Sequence, residues 1–172
     1  MSDHQIPDFE TDAEFLQLIQ PRDEKYVEEL EEDIFDHGCH EAICVWGSIL
    51  LDGHLRYSIT CRKWDIRFNI RRLFFQSRDE AEAYICTEQL KRNDLTSEYK
   101  KYLIGRRFRA DMNIASADFL KNHPEKQLNA DGQISQKYVQ KTEIATIIGK
   151  EYNFGFSTVT KYDVYARALD EL

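Results

Sequence analysis

The chain has 172 residues, 42% hydrophobic and 31% charged, with four cysteines and a formal net charge of -8. That is enough apolar material for one good core, or for one compact domain plus a small helical one, and it excludes a disordered chain. The net charge excludes wholesale coating of a polyanion, but it is uneven: residues 1–50 carry 14 acidic side chains against 2 basic ones, and residues 51–172 carry 17 against 21, so a nucleic-acid surface fits the later part and not the first.

In chain order, Phe15 to Ile19 is a short apolar run stopped by Gln20-Pro21 and reads as an entry strand. Asp23 is placed to cap a helix whose Tyr26, Val27, Leu30 and Ile34 recur at helical spacing and which Gly38 ends. Its acidic residues, Glu28 to Asp36, read as a solvated face. Ala42 to Trp46 and Ile49 to Leu51 are strands joined by the hairpin signal Gly47-Ser48. A helix follows from Asp52-Gly53 to near Asp65, with Leu55, Ile59 and the ring of Tyr57 or Trp64 on its inner side. Phe68 to Phe75 is a strand, and Arg78 opens a helix with Ala81, Tyr84, Ile85 and Leu90 as its stripe. This order describes a small α+β domain.

Composition then shifts. Lys91 to Arg109 holds seven basic residues against Asp94 and Glu98 and reads as a basic helix in which Lys100, Lys101 and Arg107 attract phosphates. Residues 113–140 read as a connection. Thr142 to Gly149 and Ser157 to Tyr162 are two short helices, the second opened by a Ser cap, with Ala145 and Gly149 small enough for a close crossing. They read either as a packed helical hairpin or as a helix-turn-helix that offers Ser157, Thr158, Thr160 and Lys161 to a major groove.

The cysteines Cys39, Cys44, Cys61 and Cys86 are scattered, and no hydrophobic leader precedes them, so a cytoplasmic location with reduced thiols is expected. His37, Cys39, His40 and Cys44 lack a paired Cys-x-x-Cys and do not read as a metal site. No apolar stretch approaches the length of a membrane span, and no membrane partner is expected.

Two stretches carry candidate chemistry. At Asp52-Gly53-His54-Leu55-Arg56 an apolar strand stops and an amphipathic helix begins, so backbone N–H groups and the positive end of the helix dipole face out of the turn. Gly53 lets a ligand approach the main chain closely, and His54 and Arg56 add a donor and a fixed cation. The stretch reads as a phosphate turn or as a plain Asp-Gly turn. In Glu88-Gln89-Leu90-Lys91-Arg92, Glu88 and Arg92 stand four apart, either as a carboxylate and a guanidinium shared by one ligand or as an ordinary surface pair.

These two stretches, in this order and at this distance, resemble the two nucleotide-binding motifs of ParB-type chromosome and plasmid partition proteins, and the tail resembles their helix-turn-helix domain. The family's first motif is Gly-Glu-Arg-Arg, whose turn wraps the triphosphate of CTP, and its second is Glu-Asn-x-x-Arg, whose Glu and Asn serve hydrolysis and magnesium. Gly53 and Arg56 match the first, with His54 and Leu55 departing from it. Glu88 and Arg92 match the second, with Gln89 in place of Asn. The Gly-His-x-Arg form is similar to ParB-like proteins of phages and mobile elements.

The resemblance implies a ParB/sulfiredoxin-like nucleotide-binding domain over residues 10–93 and an all-α DNA-binding domain over 94–172, with the helix-turn-helix near 142–165. It implies a homodimer that binds double-stranded DNA and takes a nucleoside triphosphate, CTP or ATP, with Mg2+. Asp52, Gly53, His54, Arg56, Gln89 and Arg92 would hold the nucleotide, Glu88 and Gln89 the metal, and Glu88 would serve a slow nucleoside triphosphatase. The turn also resembles that of sulfiredoxin, but His54 stands at the nucleophile's position, which excludes thiol chemistry. It resembles as well the Asp-Gly-His-x-Arg turn of free-serine kinases, so a small-molecule phosphotransferase using Asp52, His54 and Glu88 is the alternative. A nuclease ranks last.

Overall fold

A computed structural model of the chain describes residues 8–62, 66–122 and 137–172. The chain divides into two compact units, residues 1–75 and 76–172.

The first unit opens with a helix where the sequence suggests a strand: α1 spans Ala13–Gln17. Asp12 caps it, its Oδ1 accepting from the N–H groups of Glu14 and Phe15 at 3.0 Å each. Phe15 and Leu18 are buried while Leu16 is 43% exposed, a helical spacing that a five-residue apolar run cannot reveal by itself. The extended entry segment lies just upstream, where Glu10 bridges Ile49 in parallel. Next comes α2, Glu24–His37, capped by Asp23 and ended by Gly38 at φ 88°.

Three strands follow, β1 (Cys39–Trp46), β2 (Ile49–Asp52) and, after helix α3 (His54–Arg62), β3 (Phe68–Leu73). The sheet has the order β2-β1-β3, with β2 antiparallel and β3 parallel to the central strand. Ile43, Val45 and Leu50 pack with Phe9, Tyr57, Phe68 and Ile70. Ile34 and Ile59 close a second cluster around Cys39, placing α2 and α3 against the sheet. The expected end of α3 near Asp65, and Trp64 with it, lies outside the described residues.

The second unit is helical: α4 (Arg78–Leu90), α5 (Ser97–Asn122), α6 (Lys137–Tyr152) and α7 (Phe156–Asp170). The division at 75/76 groups α4 with α5, whereas the resemblance implies a boundary between residues 93 and 94. The physical link is direct: Arg106 of α5 pairs with Glu82 of α4 at 2.7 Å, and Asn113 donates to Asp79 at 2.8 Å. The basic helix starts later than its composition suggests, because Thr96 caps α5 by accepting from Tyr99 N–H at 3.2 Å. The connection over 113–140 is helical to Asn122 and again from Lys137; the stretch between lies outside the described residues.

Both helices of the tail exceed their expected spans, and only Asn153, Phe154 and Gly155 separate them. Asn153 takes φ 60° and Phe154 N–H donates to Gly149 O at 2.7 Å. A Cβ on Gly149 would overlap the Phe154 carbonyl, so the small residue serves the turn. Gly155, not a serine, is the N-cap of α7, and Ser157 lies inside the helix with its carbonyl accepting from the Thr160 hydroxyl at 3.1 Å. Among the described residues no helix is long and apolar enough to cross a membrane.

Candidate functional site

In the first unit the chain turns from β2 into α3 at Gly53, whose φ is 87°, a left-handed conformation that favours glycine. Tyr57 N–H donates to Gly53 O at 2.8 Å, the first bond of α3. The N–H groups of His54, Leu55 and Arg56 therefore begin the helix, where the α geometry provides no intrahelical acceptor. The structure brings Asp52, Gly53, His54 and Arg56 together at this turn and adds two groups from β1. Arg56 Nη1 donates to Glu41 Oε2 at 2.7 Å, and Nη2 donates to Asp52 Oδ2 at 3.1 Å and to the Ala42 carbonyl at 3.3 Å. Its guanidinium lies 3.2 Å from where a Cβ of Gly53 would stand. Arg56 is thus folded back over the turn and neutralised by carboxylates. Glu41 has no signal in the sequence, since its contact with Arg56 spans fifteen residues.

His54 is unusual in the opposite sense. Both ring nitrogens are buried without a hydrogen-bond partner among the described residues, which ordinarily costs about 1–3 kcal/mol per unsatisfied group. Burial pushes its pKa below the ordinary value, against the pull of Asp52, so the ring is neutral near pH 7. The neutral ring is the proton-accepting form of imidazole, but its nitrogens are shielded from solvent.

Gly53→Ala is expected to destabilise the first unit by about 1–2 kcal/mol, because an L side chain at this φ is strained and its Cβ would press on the Arg56 guanidinium. Urea unfolding checks this; a loss below about 0.5 kcal/mol would mean that the turn relaxes to an ordinary φ.

The second constellation lies in the helical unit. Helix α4 ends at Leu90 with Lys91 as C-cap, so Arg92 is past the helix and the shared helical face expected for Glu88 and Arg92 does not extend to it. Glu88 Oε1 pairs with Lys91 Nζ at 2.6 Å. Gln89 is buried and its Oε1 accepts from Arg92 Nη1 at 2.7 Å, while Arg92 also makes two bonds to Asp94 at 3.1 and 2.8 Å. An oxygen of Glu88 and the amide oxygen of Gln89 each face a cation. That arrangement does not suit a divalent metal, which needs oxygens free of competing positive charge.

The basic residues of α5 separate into two kinds. Arg106 pairs with Glu82 at 2.7 Å and with Asp170 at 2.8 Å, and Arg109 pairs with Asp163 at 3.1 Å and with Asp170 at 2.7 Å. Arg107, 15% exposed, donates to Glu151 at 2.9 Å and to the Tyr152 hydroxyl at 2.7 Å and stands 3.6 Å from Asp111. These three guanidiniums tie α5 to its neighbours and are not offered to a phosphate. Lys100 is exposed, with its ammonium 5.8 Å from the Phe154 ring centroid, and Lys101 pairs loosely with Glu98 at 3.8 Å. On α7, Val159, Asp163 and Ala166 are buried, while Ser157 and Lys161 are exposed and Thr158 and Thr160 are half-buried.

No protein-family model and no curated protein matches the chain. Solved structures do. Two structures of pNOB8-like ParB N-domains match with TM-scores of 0.62 and 0.61 at 20% and 22% identity, covering 91% and 90% of this chain. The chain spans 60% and 63% of the length of those chains. This likeness, taken with the three-stranded sheet and the helical second unit, gives the chain an α+β fold of the ParB N-domain type.

Proposed function

We propose that the chain is a nucleotide-responsive DNA-binding protein of the ParB type. In this reading its helical unit meets double-stranded DNA through α6 and α7, its first unit takes a nucleoside triphosphate, CTP or ATP, at the Gly53 turn, and the working form is a homodimer. The observation that carries the DNA reading is the division of α7. Val159, Asp163 and Ala166 lock one side of the helix into the unit, while Ser157 and Lys161 stand exposed in its first turns, as a recognition helix requires. The likeness to ParB N-domains supports the same reading. The turn is supported by its positive-φ glycine, by the N–H groups that open α3 and by the Arg56 guanidinium beside them, one of whose partners, Glu41, is largely exposed. The triphosphate is proposed without a magnesium held by Glu88 and Gln89, and turnover is accordingly slow.

Titrating the chain with duplex DNA at several salt concentrations, alone and with each of the four ribonucleoside triphosphates, tests the proposal. Duplex binding should weaken with salt, and one triphosphate should change it. Lys100→Ala and Lys161→Ala should each flatten the salt dependence by about one unit of slope. Thr158→Ala should relax the preference among sequences and leave the slope nearly unchanged. No duplex binding at low salt, together with transfer of phosphate to a small hydroxyl compound, would put the phosphotransferase in its place.

A further inference from the structure

Arg56 lies between two carboxylates whose oxygens stand 2.7 and 3.1 Å from its two terminal nitrogens. Oxygens of one phosphate group would meet a guanidinium in the same way. The two acids differ in kind. Asp52 belongs to the turn itself, four residues before Arg56, and is the more shielded. Glu41 reaches in from β1 with 78% of its side chain exposed, against 18% for Arg56. An exposed carboxylate loses little on returning to water, so this arm is the one that can leave. At the same turn the buried ring nitrogens of His54 have no hydrogen-bond partner among the described residues.

We propose that Glu41 is an anionic stand-in for the ligand: it occupies Arg56 until a phosphate displaces it, and so sets how tightly phosphates bind. The inference rests on the triphosphate reading above and adds the residue that competes with the ligand for Arg56. Releasing Glu41 from Arg56 is the same step for every ligand that takes the guanidinium, so its cost falls alike on mono-, di- and triphosphates.

Calorimetric titration of the full chain with CTP, ATP and the corresponding monophosphates decides the matter. Glu41→Gln should tighten triphosphate binding roughly three- to tenfold, the factor set by loss of a partly shielded ion pair. Glu41→Ala, which also removes the acceptor, should gain at least as much, and in both variants triphosphate and monophosphate affinities should rise by about the same factor. Glu28→Gln, which removes an exposed charge from α2, should shift affinity less than about twofold. Unchanged or weaker binding in Glu41→Gln while the parent binds, or an equal gain in Glu28→Gln, overturns the competition by Glu41 alone. Parent and variants that all fail to bind any of these nucleotides overturn the triphosphate reading and the competition together.

Discussion

Gly105→Ala should lower the stability of the helical unit by about 2–4 kcal/mol, although alanine is the better helix former by about 1 kcal/mol. At Gly105 the backbone of α5 packs directly on that of α7. A Cβ there would overlap the carbonyl of Tyr162 and stand 2.9 Å from Ala166 Cβ. The obstructing atoms are mostly backbone, so no rotamer change relieves them and the helices must move apart. Because Val159 and Asp163 of α7 are buried in this unit, the move would also disturb the α7 face proposed to read DNA. Urea unfolding of the full chain measures the loss, and duplex titration its consequence. A Gly105→Ala protein more stable than the parent would overturn the close crossing.

Arg106→Met should cost about 3–5 kcal/mol, the range for removing one partner of a buried ion pair. The guanidinium bridges Glu82 on α4 and Asp170 at the end of α7, and also donates to the Tyr102 hydroxyl at 3.1 Å. Its loss leaves the shielded Glu82 carboxylate without that cation. Adding Glu82→Leu should recover most of the stability, because the desolvation cost disappears with the second charge; a double variant no better than the single one would show that shape, not charge, is what matters. The same network predicts an acid-sensitive unit. Burial works against the Asp170 carboxylate, but hydrogen bonds from Arg109 and Tyr102 and the charge of Arg106 outweigh it and hold its pKa below the ordinary value. A depressed carboxylate contributes stability that is complete above the unfolded pKa of about 3.9 and is lost as pH falls below it. Unfolding followed from pH 6 to pH 2 should show this loss, smaller in Arg106→Met.

What the sequence revealed was local in origin. The strand, turn and helix around Gly53 could be read because a change of hydrophobic period and a demand for positive φ are both written within a few residues. Asp23 and Gly38 marked the ends of α2 for the same reason, whereas Gly149, which reads as a small residue for a helix crossing, serves the turn between α6 and α7. Local signals failed where the run was too short to show a period, as at α1, and where a cap came from the backbone of Gly155 instead of a side chain.

The availability of charge was not local. By composition the stretch from Lys91 to Arg109 is a basic surface, yet Arg106, Arg107 and Arg109 spend their charge on Glu82, Glu151, Asp163 and Asp170, partners 24 to 64 residues away. Arg56 reads as a free cation at a phosphate turn, yet Glu41 reaches it from β1. The sequence by itself determined the elements of the first unit from α2 onward, the helical tail and the conformation of the Gly53 turn, because propensity, period and capping act over one or two turns of chain. Only the tertiary structure decided which cations face solvent and which hold the fold together, because a charge is neutralised by what lies within a few ångströms in space, whatever the separation along the chain.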